Sequence, residues 1–230
     1  MGKTVAIVQS NYIPWKGYFD LINSADEFIL FDDMQYTTRD WRNRNRIKTR
    51  NGPMWLTIPV LVKGRRSQSI RDTIISDTRW NTKHWKAIVH NYSRADHFPS
   101  YEALFKELYL GSQENFLSAI NYRFITAVRK ILGIDTKISW SMDYHLVEGK
   151  TRRLVELCKQ AGATEYLTGP RAKAYIDERL FNREGIALRY MDYSGYSEYK
   201  QLFPPFVHEV SIIDLILNEG PNATKYMRSF

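Results

Sequence analysis

A single cysteine, Cys158, stands among 230 residues. It cannot close an internal disulfide and is too little for a cysteine zinc site, so a disulfide-stapled secreted scaffold is excluded. No apolar run approaches the roughly 20 residues needed to cross a bilayer. The opening MGKTVAIVQSNY has one lysine and a short apolar strand where a secretory leader would carry a charged segment and a long apolar stretch, and the expected location is the cytoplasm. Metal-ligand spacing is missing too. His84, His90, His97, His145 and His208 include no pair four residues apart, and His84 and His90 fall on different faces of a shared helix. No metal site is expected. Repeats, low-complexity segments and linkers are lacking, and the 14% aromatic content excludes a disordered chain.

What is plentiful is positive charge. Lys and Arg number 33 against 25 acids, a net charge of +8. Such a balance either attracts an anion (nucleic acid, a phosphorylated metabolite or an acidic protein) or merely solvates the surface. Its distribution is uneven: Arg39, Arg42, Arg44, Arg46, Lys48 and Arg50 crowd around one acid, Asp40, and Lys63, Arg65 and Arg66 follow soon after.

Residues 4–9 form a short Val/Ile-rich run that reads as a buried parallel strand, residues 16–25 have helical spacing, and residues 27–31 read as a second strand. This β-α-β beginning predicts an α/β fold with a mostly parallel sheet. Residues 34–51 read as a long polar connector, 55–62 and 70–75 as strands, and 80–92, 100–110 and 115–132 as helices. Further along, 138–141, 165–167 and 186–193 suit strands, and 150–161, 171–181 and 211–218 suit helices. The expected organisation is one α/β domain over residues 1–230, with a helical insertion at about residues 79–133.

Ligands of open parallel sheets bind beyond the carboxyl ends of the strands, and the segment QSNYIPWKGY follows the first strand there. Gln9, Ser10, Asn11 and Tyr12 offer amide and hydroxyl groups, Lys16 a cation, and Trp15 and Tyr18 flat apolar surface, beside a helix start that favours anions. Equally, the aromatics of this turn can simply pack it onto the sheet. The turn resembles the place where nucleotidyltransferases carry His-x-Gly-His. Here Trp15-Lys16-Gly17-Tyr18 retains the glycine and neither histidine, which implies a shared Rossmann-like scaffold without that chemistry.

Asp32 and Asp33 end the second strand, where a carboxylate can serve as a general base or metal ligand, or else cap a turn or pair with an arginine. Beyond them Gln35, Arg39, Asn43, Arg44 and Lys48 supply donors for phosphate and hydroxyl groups, with Trp41 interleaved. His84 is a candidate acid or base, with a plain structural role as the alternative. Thr168 and Gly169 form a second turn between strand and helix that suits an anion. Gly149-Lys150-Thr151 imitates a phosphate loop, but Tyr144 occupies the position of its required first glycine. Cys158, amid Leu154, Val155 and Leu157, reads as core filling.

The stretch VAIVQSNYIPWKGYFDLINSADEFILFDDMQYTTRDWRNRNRIKT resembles the N-terminal signature of the WbqC-like family. YLTGPRAKAYID and YMDYSGYSEYKQLFPPFVHEVSIIDLILNEGP resemble its C-terminal half. The resemblance implies a role in O-antigen or other surface-polysaccharide biosynthesis. It further implies transfer of an acyl or aminoacyl group, from a carrier or activated donor, to the amine of a nucleotide-linked amino sugar. On that reading the arginines clamp a diphosphate, Asp32, Asp33 or a histidine accepts the amine's proton, and Asn11 or Tyr12 stabilises the oxyanion. No tightly bound cofactor is expected; the donor would be phosphopantetheine-linked, on an acidic acyl carrier protein steered by the basic surface. The alternatives are a nucleotidyl- or glycosyltransferase, and a nucleic-acid-binding module using the Arg/Trp segment.

Overall fold

The structure, a computed structural model, describes residues 2–230. Its centre is a five-stranded sheet ordered β5-β2-β1-β6-β7, and all four pairings are parallel. These strands are β1 (Thr4–Val8), β2 (Glu27–Leu30), β5 (Lys137–Trp140), β6 (Glu165–Thr168) and β7 (Ala187–Tyr190). Successive side chains of a strand face opposite ways, and both faces are covered. Ala6, Phe28, Leu30 and Leu167 pack with α1 (Lys16–Asn23) and α7 (Ile212–Glu219). Val5, Ile7, Ile29 and Tyr166 pack instead with α5 (Lys150–Gln160) and α6 (Glu178–Arg183). Continuous apolar runs in β1 and β2 follow from this double burial.

The three helices of the central insertion, α2 (Trp80–Tyr92), α3 (Phe98–Leu110) and α4 (Leu117–Leu132), extend the α1-side core. Gly133 ends α4 in the left-handed conformation, φ 69°, where a side chain would be strained. No helix among the described residues is long and apolar enough to cross a membrane.

Three local expectations are corrected. The polar stretch at 34–51 is not one connector: β3 (Arg44–Thr49) lies within it and pairs antiparallel with β4 (Gly52–Thr57). Its alternation is masked because Asn45, on the face it shares with Ile47, and Lys48, on the opposite face, are both buried by hydrogen bonding rather than by being apolar. Residues 70–75 make only isolated bridges, at Ile74 and Ile75. Residues 171–181 are not one helix. A 3₁₀ turn (Pro170–Ala174) comes first, and α6 starts separately after Asp177, whose side chain accepts from the Arg179 amide at 3.2 Å.

Candidate functional site

The chain leaves β1 through α1 toward β2 on one side, and later reaches β6 on the other side through α5, on the opposite face. Strand order thus reverses between β1 and β6, and a crevice opens beyond their carboxyl ends. A cavity of about 810 Å³ fills it. Gln9, Asn11, Trp15 and Tyr18 contribute from the turn after β1, Thr168 and Gly169 from the turn after β6, and Gly149, Lys150 and Arg153 from the start of α5.

Every charged residue lining this cavity is a cation: Arg42, Lys150, Arg153 and Arg171. The α5 N-terminus adds unsatisfied backbone donors, because its cap, Gly149, has no side chain and its first turn holds no acid. Cations in a first turn oppose the helix dipole, yet α5 opens Lys150-Thr151-Arg152-Arg153. That local contradiction suits an anion, and it is the signal in the sequence for Lys150 and Arg153.

The first turn is held under strain. Ile13 has φ 38°, an outlier for a β-branched residue that costs about 1–3 kcal/mol. Neighbours over-determine it: the Asn45 amide donates to the carbonyls of Tyr12 (3.1 Å) and Ile13 (2.9 Å), and the Tyr12 amide donates to Trp41 O at 3.0 Å. Gly17 is needed because the Trp15 ring lies across it; a Cβ there would come within 2.4 Å of the indole. Trp15 also meets Tyr193 edge-on, 5.2 Å between ring centroids. Arg42 donates to Asn11 Oδ1, which leaves the Asn11 NH₂ as that side chain's donor face.

The remaining candidates are placed elsewhere. Tyr12 is fully buried, its hydroxyl 2.8 Å from His84 Nδ1 and 3.2 Å from the Tyr109 hydroxyl. Burial lowers the His84 pKa to about 4, so its ring is neutral, and its Nε2 lies 3.2 Å from the Thr57 carbonyl. Both residues are core members because α2 packs directly over the first turn, and neither lines the crevice. Lys16 is not among the crevice residues either: it is 3% exposed, donates to Ser197 O at 3.1 Å and sits 4.7 Å from the Tyr196 ring centre. Burial draws its pKa down to about 8, with Asp20 acting in the opposite sense.

Ser10 and Asp32 are fully buried beneath the turn, where the Ser10 amide donates to Asp32 Oδ1 at 2.7 Å and the Ser118 hydroxyl to Oδ2. Burial raises the Asp32 pKa; those donors and Arg42 counter it only in part. Asp33 is paired with Arg71 (2.7 Å) and accepts from Ser141 Oγ at 2.5 Å. Asn43 donates to Ile58 O at 2.8 Å, Lys48 to Pro205 O, and the exposed Gln35 to Arg66 O at 2.6 Å. Arg39 is exposed. Arg44 stacks on Trp55, 4.1 Å from its ring centre, and Trp55 in turn meets Trp41 at 5.3 Å. The Cys158 thiol, buried under α5, is pushed up to about 12 by desolvation.

Thus Gln9, Asn11, Trp15, Tyr18, Thr168 and Gly169 come together in one crevice, although the two turns lie some 160 residues apart in the chain. Arg42 from the basic cluster, Lys150, Arg153, Arg171 and Tyr193 join them. Beside this crevice a smaller cavity of about 340 Å³ is lined by Trp41, Asn45 and Glu209 among others. No group of three His, Cys, Asp or Glu among the described residues is arranged to hold a metal ion.

The chain matches the model of the WbqC-like protein family over residues 9–226. It is also 54% identical over 226 residues to a protein of Mycobacterium tuberculosis (strain ATCC 25618 / H37Rv) named "Uncharacterized protein Rv1507c", covering 98% of each chain. No solved structure matches it significantly. The chain belongs to the WbqC-like protein family.

Proposed function

We propose that this WbqC-like protein is a transferase that adds an acyl or aminoacyl group to the amine of a nucleotide-linked amino sugar, in surface-polysaccharide biosynthesis such as that of O-antigen. The observation that carries the reading is the crevice at the strand-order reversal, whose charged lining of Arg42, Lys150, Arg153 and Arg171 contains no acid. A diphosphate supplies the charge that Lys150, Arg153 and Arg171 lack, Arg42 having Asp40 at 3.8 Å, and guanidinium groups match its oxygens in paired hydrogen bonds. The nucleotidyltransferase-like Rossmann scaffold belongs to the same proposal: the phosphate sits where such sheets receive nucleotides, with α5 rather than α1 supplying the helix N-terminus.

In the reaction, the sugar's ammonium first releases one proton to solvent, and the neutral amine attacks the carbonyl of a carrier thioester. The C–N bond forms as the C–S bond breaks, and the amine's proton ends on the departing thiol. The Asn11 NH₂, oriented by Arg42, donates to the carbonyl oxygen as charge develops on it. An acidic carrier protein bearing phosphopantetheine is the donor, steered by the exposed Lys63, Arg65 and Arg66. The setting is the cytoplasm.

Calorimetric titration with dTDP, dTDP-glucose and its 4-amino counterpart tests the acceptor. Binding of all three, tightest for the amino sugar, is expected. Failure of every nucleotide to bind overturns the reading. Magnesium-dependent release of diphosphate or nucleoside diphosphate from a nucleotide substrate would replace it with nucleotidyl or glycosyl transfer, and steeply salt-dependent oligonucleotide binding would replace it with a nucleic-acid module.

A further inference from the structure

The 340 Å³ slot adjoins the cationic crevice and shares Asn11, Trp15, Gly169, Arg171 and Tyr193 with it. Its chemistry differs in kind. Trp15, Trp41 and Tyr193 give it aromatic walls, and it holds the one acid found in the lining of either cavity, Glu209.

We propose that this slot is the sugar subsite and that Glu209 is the residue selecting a sugar with a free ammonium group over its hydroxyl analogue. The proposal rests on the reading of the crevice as a nucleotide-diphosphate site. It follows from asking which polar groups in the slot are still available to a ligand. Asn45 is fully engaged: its NH₂ donates to Tyr12 O and Ile13 O, and its Oδ1 accepts from the Arg46 amide at 2.8 Å. The Asn11 carbonyl is taken by Arg42, and Arg171 can only donate. Glu209 is different. One carboxylate oxygen meets Arg46 Nη2 at 3.3 Å, while the side chain stays 72% exposed, so acceptor capacity is left over.

A sugar hydroxyl can be served by donors or acceptors, but an ammonium has three protons and no lone pair, so it demands acceptors and negative charge. Glu209 supplies both at a wall formed by Trp41, whose ring face also attracts a cation. Arg46 holds this carboxylate in place: its guanidinium carbon lies 5.8 Å from the Trp41 ring centre and 5.5 Å from that of Trp55. Because Arg171 and Gly169 line both cavities, a ligand anchored by phosphates in the crevice reaches the slot with the next group along. In a nucleotide-sugar that group is the sugar.

The test compares the unaltered protein with Glu209→Gln, titrating each with dTDP, dTDP-glucose and the 4-amino analogue. Glu209 is exposed, so the variant folds, and an unchanged melting temperature verifies this. The unaltered protein should prefer the amino sugar over dTDP-glucose by about tenfold, the low end for a charge-assisted hydrogen bond in a partly hydrated site. Glu209→Gln should abolish that preference and leave the affinity for dTDP unchanged. A preference that survives in Glu209→Gln, or an unaltered protein that binds both sugars equally while binding dTDP, overturns the proposal and leaves the crevice assignment standing. No binding of dTDP itself overturns the crevice assignment and, with it, the proposal.

Discussion

Strand β2 carries a fully buried carboxylate at each end, and the two are treated oppositely. Glu27, at the amino end, is ringed by Lys3 (2.7 Å), Lys137 (3.0 Å), Ser139 Oγ (2.6 Å) and the Tyr144 hydroxyl (2.6 Å). Burial alone would raise its pKa, but these partners together bring it down to about 2. Asp32, just past the carboxyl end, has serine donors and the more distant charge of Arg42, and its pKa is raised because desolvation prevails. Depth and cation supply together set the charge: Glu27 is less deeply buried and within reach of two lysines, whereas Asp32 lies deeper with one, more distant cation. At the amino edge the cations are spent on a carboxylate of the chain. At the carboxyl edge Lys150, Arg153 and Arg171 face an open crevice instead, and Arg42 faces it while also meeting Asp40 at 3.8 Å. One edge is electrostatically closed, and the other is where the proposed function places an anion from outside.

The largest effect should come from removing crevice cations. The Lys150→Ala, Arg171→Ala double variant should lose about 3 kcal/mol of nucleotide affinity, at about 1.5 kcal/mol or more per charge-assisted contact. Its melting temperature should stay within about 2 °C, since both side chains are exposed. Paired calorimetry and thermal melts check this. A variant that melts early yet still binds dTDP would erase the distinction between the two edges.

The amino edge should respond in the reverse sense. Glu27→Gln should cost about 2 kcal/mol of stability at pH 7, a figure discounted because Lys3 and Lys137 remain partly in water. Nucleotide affinity should not change. The sign of the pH dependence follows from a native pKa of about 2 against an ordinary 4.5. The stabilisation is fully present above pH 4.5 and is lost as pH falls toward 2. Urea unfolding at several pH values should show that acid loss in the native sequence and its absence in Glu27→Gln.

The same contrast explains what could be read from residues alone. The strands β1 and β2 and the helices α2 to α4 were legible because long periodic or β-branched apolar runs have one way to be buried. The shared crevice of the turns at Gln9–Asn11 and Thr168–Gly169 follows from the general placement of strand-to-helix turns at the carboxyl ends of parallel strands. That the α5 start joins them was not legible, because it depends on strand order, a property of the whole chain. Tyr12 and His84 misled for a related reason. Their side chains are capable of chemistry, but α2, which carries His84, packs over Tyr12 some 70 residues earlier in the chain and buries both in a hydrogen-bonded pair. In the hairpin, Asn45 and Lys48 are buried on opposite faces of β3 through bonds to backbone carbonyls, a kind of burial that hydropathy does not register.

The smallest expected effect discriminates most finely. Asp32→Asn keeps the shape and one acceptor: its carbonyl can still take the Ser10 amide. Its NH₂ replaces the oxygen that accepts from Ser118, and that serine hydroxyl can rotate to accept instead. Since the native carboxylate is desolvated with few charged partners, neutralising it should change stability at pH 7 by less than about 1 kcal/mol. Because the folded pKa of Asp32 is raised, its contribution is most favourable at acid pH and declines as pH rises through that value, opposite to Glu27. Asp32→Asn should therefore flatten a rise in stability toward acid, measured after the Glu27 dependence is removed in a Glu27→Gln background. Turnover and dTDP affinity should both persist, since Asp32 lies beneath the turn and outside the crevice lining. Loss of turnover with stability intact would instead make Asp32 the amine's base, acting through a first turn that opens.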